Sequence, residues 1–341
     1  MSDPNARPGA PAPLHPSRRR LLAGAAAALA ASTAWRPAEA QAFPSRPVKT
    51  IVPFAAGGGP DLLARKTGIK LAEVLGQGVV VENIVGAGGI LAAQSAARAP
   101  ADGYTLILGS SAQIVQKLMQ PAVKYDPLQD FAPITCTGFS PALLVVAADA
   151  PWKTVQELVN AIRARPATLN YASGGIGSAA HLIGAALEQA MQVRATHVPY
   201  KGSVDIIPSI LQGTTQFAFP IASTALPQVL DGRVRALATS SAQRLAQLPQ
   251  LPTLHEALGK EELALSSWSG VWAPAGTPAE VVDTLFRAYQ KVYADPSLRA
   301  DHEAAGVLVE LSASPADFGR FMAQETRRYE RIVKAARLTA S

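Results

Sequence analysis

Four short segments of this 341-residue chain place glycine beside serine, aspartate or a helix start: PFAAGGGPD (53–61), GSSAQ (109–113), GGIGSAAH (174–181) and YKGSVD (200–205). Each follows an apolar, strand-like run. The first N–H groups of a helix lack intrahelical partners and carry a partial positive charge, and glycine lets an anion approach that backbone closely. Four such turns facing one cleft would hold a carboxylate without any arginine. One alone proves nothing, because glycine also serves strand-to-helix turns for steric reasons. Asp61 either touches a ligand or caps its helix, and the cap is the better account. His181, one turn into the helix after Gly177, either points into a cleft or packs structurally, and packing is the better account.

Reaction chemistry finds less support. GGGPDLLARKT departs from the G-x-x-x-x-G-K-[ST] order of a phosphate loop, and the run Gly86 to Leu91 ends on leucine where a dinucleotide fingerprint has its third glycine. Gly109-Ser110-Ser111-Ala112-Gln113 fails the last position of the G-x-S-x-G elbow. His15, His181, His197, His255 and His302 show no metal-ligand spacing. A hydrolase using Ser110, Ser111 or Ser178 with His181 would also need an orienting acid, and no motif supplies one. The sequence therefore predicts a binding protein, not an enzyme, with no cofactor and no metal. Cys136 is alone, which excludes an intramolecular disulfide; within FAPITCT it reads as a core thiol.

Alternating strands and helices must carry these turns. VKTIVPF, VVVEN and YTLILGS read as strands, separated by helices over 60–75 and 90–98. A second run follows: LLVVAA, a capped helix with Val155, Leu158, Val159 and Ile162 on one stripe, then LNYAS, a helix over 178–191, ATHVPY, a helix over 204–211, QFAF and VRALATS. The last third has one long extended stretch, LALSSWSGVWAPAG, and two helices, 278–293 and 315 to about 337. Two such runs with a helical return predict two α/β lobes: 41–140 with 267–341, and 141–266. Each lobe would be a mostly parallel sheet flanked by helices, with the ligand between them.

The chain is 48% hydrophobic and 16% charged, as a packed globular protein is. Half of its net charge of +6 lies in the first 40 residues, and no basic block with interleaved aromatics occurs, so nucleic acid is not an expected partner. Residues 1–40 hold a basic cluster, an Ala/Leu run and Ala38-Glu39-Ala40, the order of an export signal removed near Ala40. Ser17-Arg18-Arg19 before Leu21-Leu22 fits the twin-arginine route, with an ordinary secretory signal as the alternative. A periplasmic protein that does not span the membrane is expected.

RPVKTIVPFAAGGGPDLLAR, VVVENIVGAGGILAAQSAARAPADGYTLILGSS, LNYASGGIGSAAHL, HVPYKGS and WSGVWAPAGTP, in that order, resemble the Bug-type solute receptors of tripartite tricarboxylate transporters. The resemblance covers essentially the whole mature chain. It implies a type II, flytrap-like periplasmic binding fold that captures a small organic carboxylate and presents it to membrane permease subunits; a sensor using the same fold is the alternative. Carried over, it implies ligand contacts from Phe54, Gly57, Gly58, Gly59 and Asp61, and from Ser110 and Ser111. In the second lobe it implies Ser173, Gly177, Ser178 and His181, with Tyr200, Lys201 and Gly202, as the closing jaw. Pro60 replaces the family's usual hydroxyl residue, FAFPIAST replaces an acidic or Asn-bearing loop, and Val204-Asp205 replace small residues. Phe217, Phe219 and Pro220 suggest a pocket suited to an aromatic or otherwise hydrophobic carboxylate.

Overall fold

A computed structural model describes residues 43–335 and Leu338. The expected export signal and the expected end of the last helix near Arg337 lie outside these residues. Strand β1 (Val48–Val52) is largely apolar and mostly buried, and it hands over to helix α1 (Gly59–Leu75) through the triple-glycine turn. Pro60 sits in the first turn of α1, where its missing N–H costs no helix bond. There follow β2 (Val79–Asn83), α2 (Ile90–Ala97), β3 (Thr105–Ser110), α3 (Ser111–Met119) and β4 (Phe131–Pro141). With β10 (Ser266–Pro274) these strands form a five-stranded sheet in the order β2-β1-β3-β10-β4. The long β4 carries Pro133, which is tolerable because β4 is an edge strand.

The second run gives β5 (Leu143–Ala147), α4 (Val155–Ala164), β6 (Asn170–Ser173), α5 (Ala179–Met191) and β7 (Thr196–Pro199). It continues with α6 (Ile206–Leu211), β8 (Phe217–Ala218), α7 (Ala222–Leu230), β9 (Val234–Thr239) and α8 (Leu254–Leu258). The sheet order is β7-β6-β8-β5-β9. In each sheet four strands run one way. β10 opposes its neighbours in the first sheet, and β5 opposes its neighbours in the second. Strand direction is thus mostly parallel, but the reversed strand makes both sheets mixed. On α4, Val155, Leu158, Val159 and Ile162 are all buried, and the Thr154 side chain accepts from the Glu157 N–H. The Glu157 carboxylate reaches back to the Lys153 N–H, one residue earlier than a capping box would place it.

Helices α9 (Ala279–Tyr293), α10 (Pro296–Ala304) and α11 (Pro315–Ala335) return to the first sheet. Val282, Leu285 and Tyr289 of α9 pack with Val48, Leu106 and Val271, while Phe318, Met322 and Tyr329 of α11 pack with Trp268 and Trp272. Burying each such side chain contributes about 1.5–3 kcal/mol. The second sheet has its own core, built on Leu143 to Val146, Tyr171, Phe217 and Phe219.

Two segments cross between the sheets. β4 runs through Ala142 into β5, and the return passes through Leu265 into β10. Buried Ser240 ties both: its Oγ accepts from the Ala142 N–H at 2.8 Å and donates to the Leu265 carbonyl. Its own N–H donates to the Ala142 carbonyl at 2.8 Å.

Candidate functional site

Strand ends and helix starts from both sheets enclose one cleft, with about 1510 Å³ of space including its open mouth. The first-sheet half supplies Phe54 and Ala55 after β1, Gly86 and Gly89 before α2, and Ser110 at the end of β3. The second-sheet half supplies Gly174, Ser178, Lys201 and Gly202. Helix α5 starts at the cleft: Ser178 caps it by accepting from the His181 N–H at 3.4 Å, and Ala179 and Ala180 line the wall. First-turn N–H groups have no carbonyl within their own helix, so those of Ala179 and Ala180 are available to an acceptor. Among the described lining residues Lys201 is the one Lys or Arg, and no Asp or Glu is present.

Of the residues singled out from the sequence, Phe54, Ser110, Ser178, Lys201 and Gly202 line this cleft. Gly57, Gly58, Gly59, Asp61, Ser111, Ser173, Gly177, His181 and Tyr200 are not among its lining. Asp61 is buried and accepts from the Gly57 N–H at 2.8 Å, Arg65 Nε at 3.1 Å and Asn83 Nδ2 at 2.9 Å. It neither caps α1 nor faces the cleft, but clamps the turn. Burial raises its pKa, yet the hydrogen bonds from Arg65, Gly57 and Asn83 outweigh that and hold the carboxyl below its ordinary value. Asn83 also donates to the Phe54 carbonyl at 3.0 Å, which fixes the end of β1.

Gly59 allows close approach of the two halves, whereas a Cβ on Gly58 would make only ordinary contact with the opposite half. A Cβ on Gly59 would lie 2.7 Å from the Ser223 carbonyl oxygen and 3.7 Å is the distance from a Gly58 Cβ to Val204. Ser111 Oγ lies 2.9 Å from Ser267 Oγ, joining α3 to β10. Ser173 Oγ is 2.7 Å from His197 Nε2, and the Tyr200 N–H donates to the Ser173 carbonyl at 2.9 Å.

His181 packs structurally. Its Nδ1 accepts from the Gly177 N–H at 3.0 Å, which places its proton on Nε2. Its ring stacks on His197 at 4.0 Å, and His197 stacks in turn on Tyr171. Burial pushes His181 down to about 4; burial, then the neighbouring His181, pushes His197 to about 3. Both rings are neutral at pH 7, and they brace the 173–177 turn from beneath.

The halves also meet through Gln116 of α3, whose Nε2 donates to the Ile176 carbonyl in that turn. Sequence reasoning missed Gln116, and it missed Gly86, Gly88, Gly89 and the serines Ser267 and Ser269 of β10, which line the cleft. Phe219 and Pro220 line it as well, whereas Phe217 is buried in the second core.

A family profile described as the tripartite tricarboxylate transporter family receptor matches residues 63–338. The chain belongs to this receptor family. A "UPF0065 protein in tcbD-tcbE intergenic region" of Pseudomonas sp. (strain P51) is 36% identical over 324 residues, 95% of this chain and 96% of the relative. The solved structure of the periplasmic binding protein BugD is 32% identical with a TM-score of 0.82, covering 88% of this chain and 100% of BugD. R. palustris Rpa4515 with adipate gives 33% and 0.83, covering 87% and 99%. MatC from Rhodopseudomonas palustris with bound malate gives 30% and 0.80, covering 85% and 100%. The receptor family accounts for the two-lobed α/β fold, and its members are periplasmic solute-binding receptors, not enzymes. Among the described residues no helix is long and apolar enough to cross a membrane.

Proposed function

We propose that this receptor is exported, captures a small organic carboxylate between lobes 41–140 with 267–341 and 141–266, and delivers it to membrane permease subunits of a tripartite tricarboxylate-type transporter. The observation that carries the reading is the start of α5. Ser178, Ala179 and Ala180 lie beside Lys201 and Gly202 and opposite Phe54 and Ser110, so amides, a hydroxyl and one ammonium converge on a cleft free of carboxylates. Phe54, Ser110, Ser178, Lys201 and Gly202 contact the ligand. Gly57, Gly58, Gly59, Asp61, Ser111, Ser173, Gly177, His181 and Tyr200 hold the surrounding turns in place. Contacts from both lobes exist only when the lobes meet, so ligand shifts the population toward the closed form.

A panel of small carboxylates, each paired with its methyl ester, tests this by thermal unfolding of the mature chain. A cognate acid at 100 times its Kd adds about 2.7 kcal/mol of stability and raises the unfolding midpoint, while its ester does not. The absence of a shift across the panel, with no compaction in scattering, would refute the proposal. Export is tested separately: replacing Arg18 and Arg19 by lysine blocks secretion if the twin-arginine route is used.

A further inference from the structure

The cleft does not end at the lobe boundary. Its lining continues inward between α1 and the first sheet as far as Thr67, Tyr293 and His302, past walls formed by Leu63, Ala64 and Val271. We infer that this inner chamber receives the uncharged, hydroxyl-bearing tail of an elongated monocarboxylate. The inference rests on the carboxylate-capture reading above and names the ligand class.

Three helices bring the polar end of the chamber together: Thr67 from α1, Tyr293 from α9 and His302 from α10. All three residues are buried, at 7%, 4% and 4% exposure. The Leu298 carbonyl lies 3.0 Å from His302 Nδ1 and can only accept, so Nδ1 carries the proton and Nε2 presents a lone pair. That lone pair faces Tyr293 Oη at 3.3 Å and Thr67 Oγ1 at 3.4 Å, and the two hydroxyls are 3.5 Å apart. Hydrogen bonds to hydroxyls usually lie near 2.7–3.0 Å. The three polar atoms thus form a triangle of long hydrogen bonds. A guest hydroxyl can seat only on its cavity side, out of the triangle's plane, where shorter bonds replace the long ones. A hydroxyl placed there donates to His302 Nε2 and accepts from Tyr293 or Thr67.

The chamber disfavours a second charge. Burial lowers the pKa of His302 and keeps it neutral, and the nearest charges, Lys66 and Asp301, pair with each other at 2.8 Å in exposed positions. Lys201, the cation of the lining, belongs to the opposite half. A carboxylate in the chamber would be a buried and unpaired charge, which is far costlier than a hydroxyl that finds its partners. Chain length and the terminal group therefore decide affinity together.

Calorimetric titration of the mature chain with three series of four to ten carbons tests this: alkanoates, ω-hydroxyalkanoates and α,ω-dicarboxylates. At the length that reaches His302, the ω-hydroxy acid is expected to bind at least fivefold tighter than the alkanoate and tighter still than the dicarboxylate. Thr67→Val and Tyr293→Phe each reduce that hydroxyl advantage at least threefold, a ratio that a merely structural role would leave unchanged. Dicarboxylates binding tightest at every length, or a hydroxyl advantage in both variants equal to that of the parent chain, overturns the chamber assignment while leaving carboxylate capture intact. If no acid of any series binds, the capture reading itself falls.

Discussion

His181 and His197 show how a cleft can be held by groups that are not among its lining. Their folded pKa values lie below the ordinary histidine value, so the unfolded chain takes up protons near pH 6.5 while the folded chain resists until about 4 and about 3. The unfolded state binds more protons across that window, and stability falls as pH drops from 6.5 toward 4. For buried His181 the loss is on the order of 3 kcal/mol. Glu188, near Tyr171 at the end of the stack, opposes this, since burial raises its carboxyl. Urea unfolding at pH 7 and pH 4 checks it: His197→Phe, which keeps the stacked volume and cannot titrate, should lose less stability between the two pH values than the parent chain does.

Asp61 makes a second residue-scale case. Asp61→Asn removes the charge that accepts from Gly57 and pairs with Arg65, and should cost about 1–3 kcal/mol in urea unfolding. An unchanged midpoint would show that the turn holds its shape without this clamp. The sequence makes Asp61 visible as a polar residue at a helix start. Its direction is set by Asn83, a residue of another strand, and no local pattern announces that.

At the scale of elements, the approach of α1 to α7 turns on a single hydrogen atom. Pro227 within α7 has no N–H to offer the carbonyl four residues earlier, and that Ser223 oxygen lies against Gly59. Gly59→Ala would place its methyl 2.7 Å from that oxygen and 2.8 Å from Ser223 Cβ, so the helices must separate. Gly59 is not among the residues with positive φ, so the substitution leaves the isolated turn unstrained. Ligand affinity should fall at least tenfold with little change in unliganded stability, and scattering should show a larger radius with ligand present. Affinity equal to the parent's would mean that this contact is dispensable.

Most strands and helices were legible because their apolar periods agree with their burial: α4 buries the whole stripe of Val155, Leu158, Val159 and Ile162 that the sequence displays. α7 was not, because Pro227 reads as a breaker, although the helix survives it in the structure. The sequence of α3 shows only a turn, since Ser110-Ser111 is a cap and the buried Gln113 and Gln116 interrupt its apolar face. The same polarity explains the gaps in the site. Gln116, Ser267 and Ser269 matter through partners more than fifty residues away or through a sheet register, and spacing along the chain carries no trace of either.

At the scale of the whole molecule, two crossings and one bond across the cleft join the two halves. Ser240 bonds to both crossing segments, Ala142 and Leu265, at the root of the second sheet and outside the cleft lining, so the proposed opening would leave these bonds in place. Gln116 bonds across the cleft to Ile176, and under the closure proposed above that bond would be made only while the lobes touch. In an open form both of its partners would be solvated, so losing the bond should bear on the open–closed equilibrium more than on folding. Ser240→Ala leaves a buried amide and a buried carbonyl short of a partner, at a cost of about 1–3 kcal/mol in unfolding free energy. Gln116→Ala should leave unliganded unfolding closer to the parent and weaken ligand binding several-fold. Urea unfolding and calorimetric titration of the two variants side by side decide the matter. If Gln116→Ala unfolds as early as Ser240→Ala while binding ligand with parental affinity, Gln116 belongs to the permanent core and the lobes do not part along this seam.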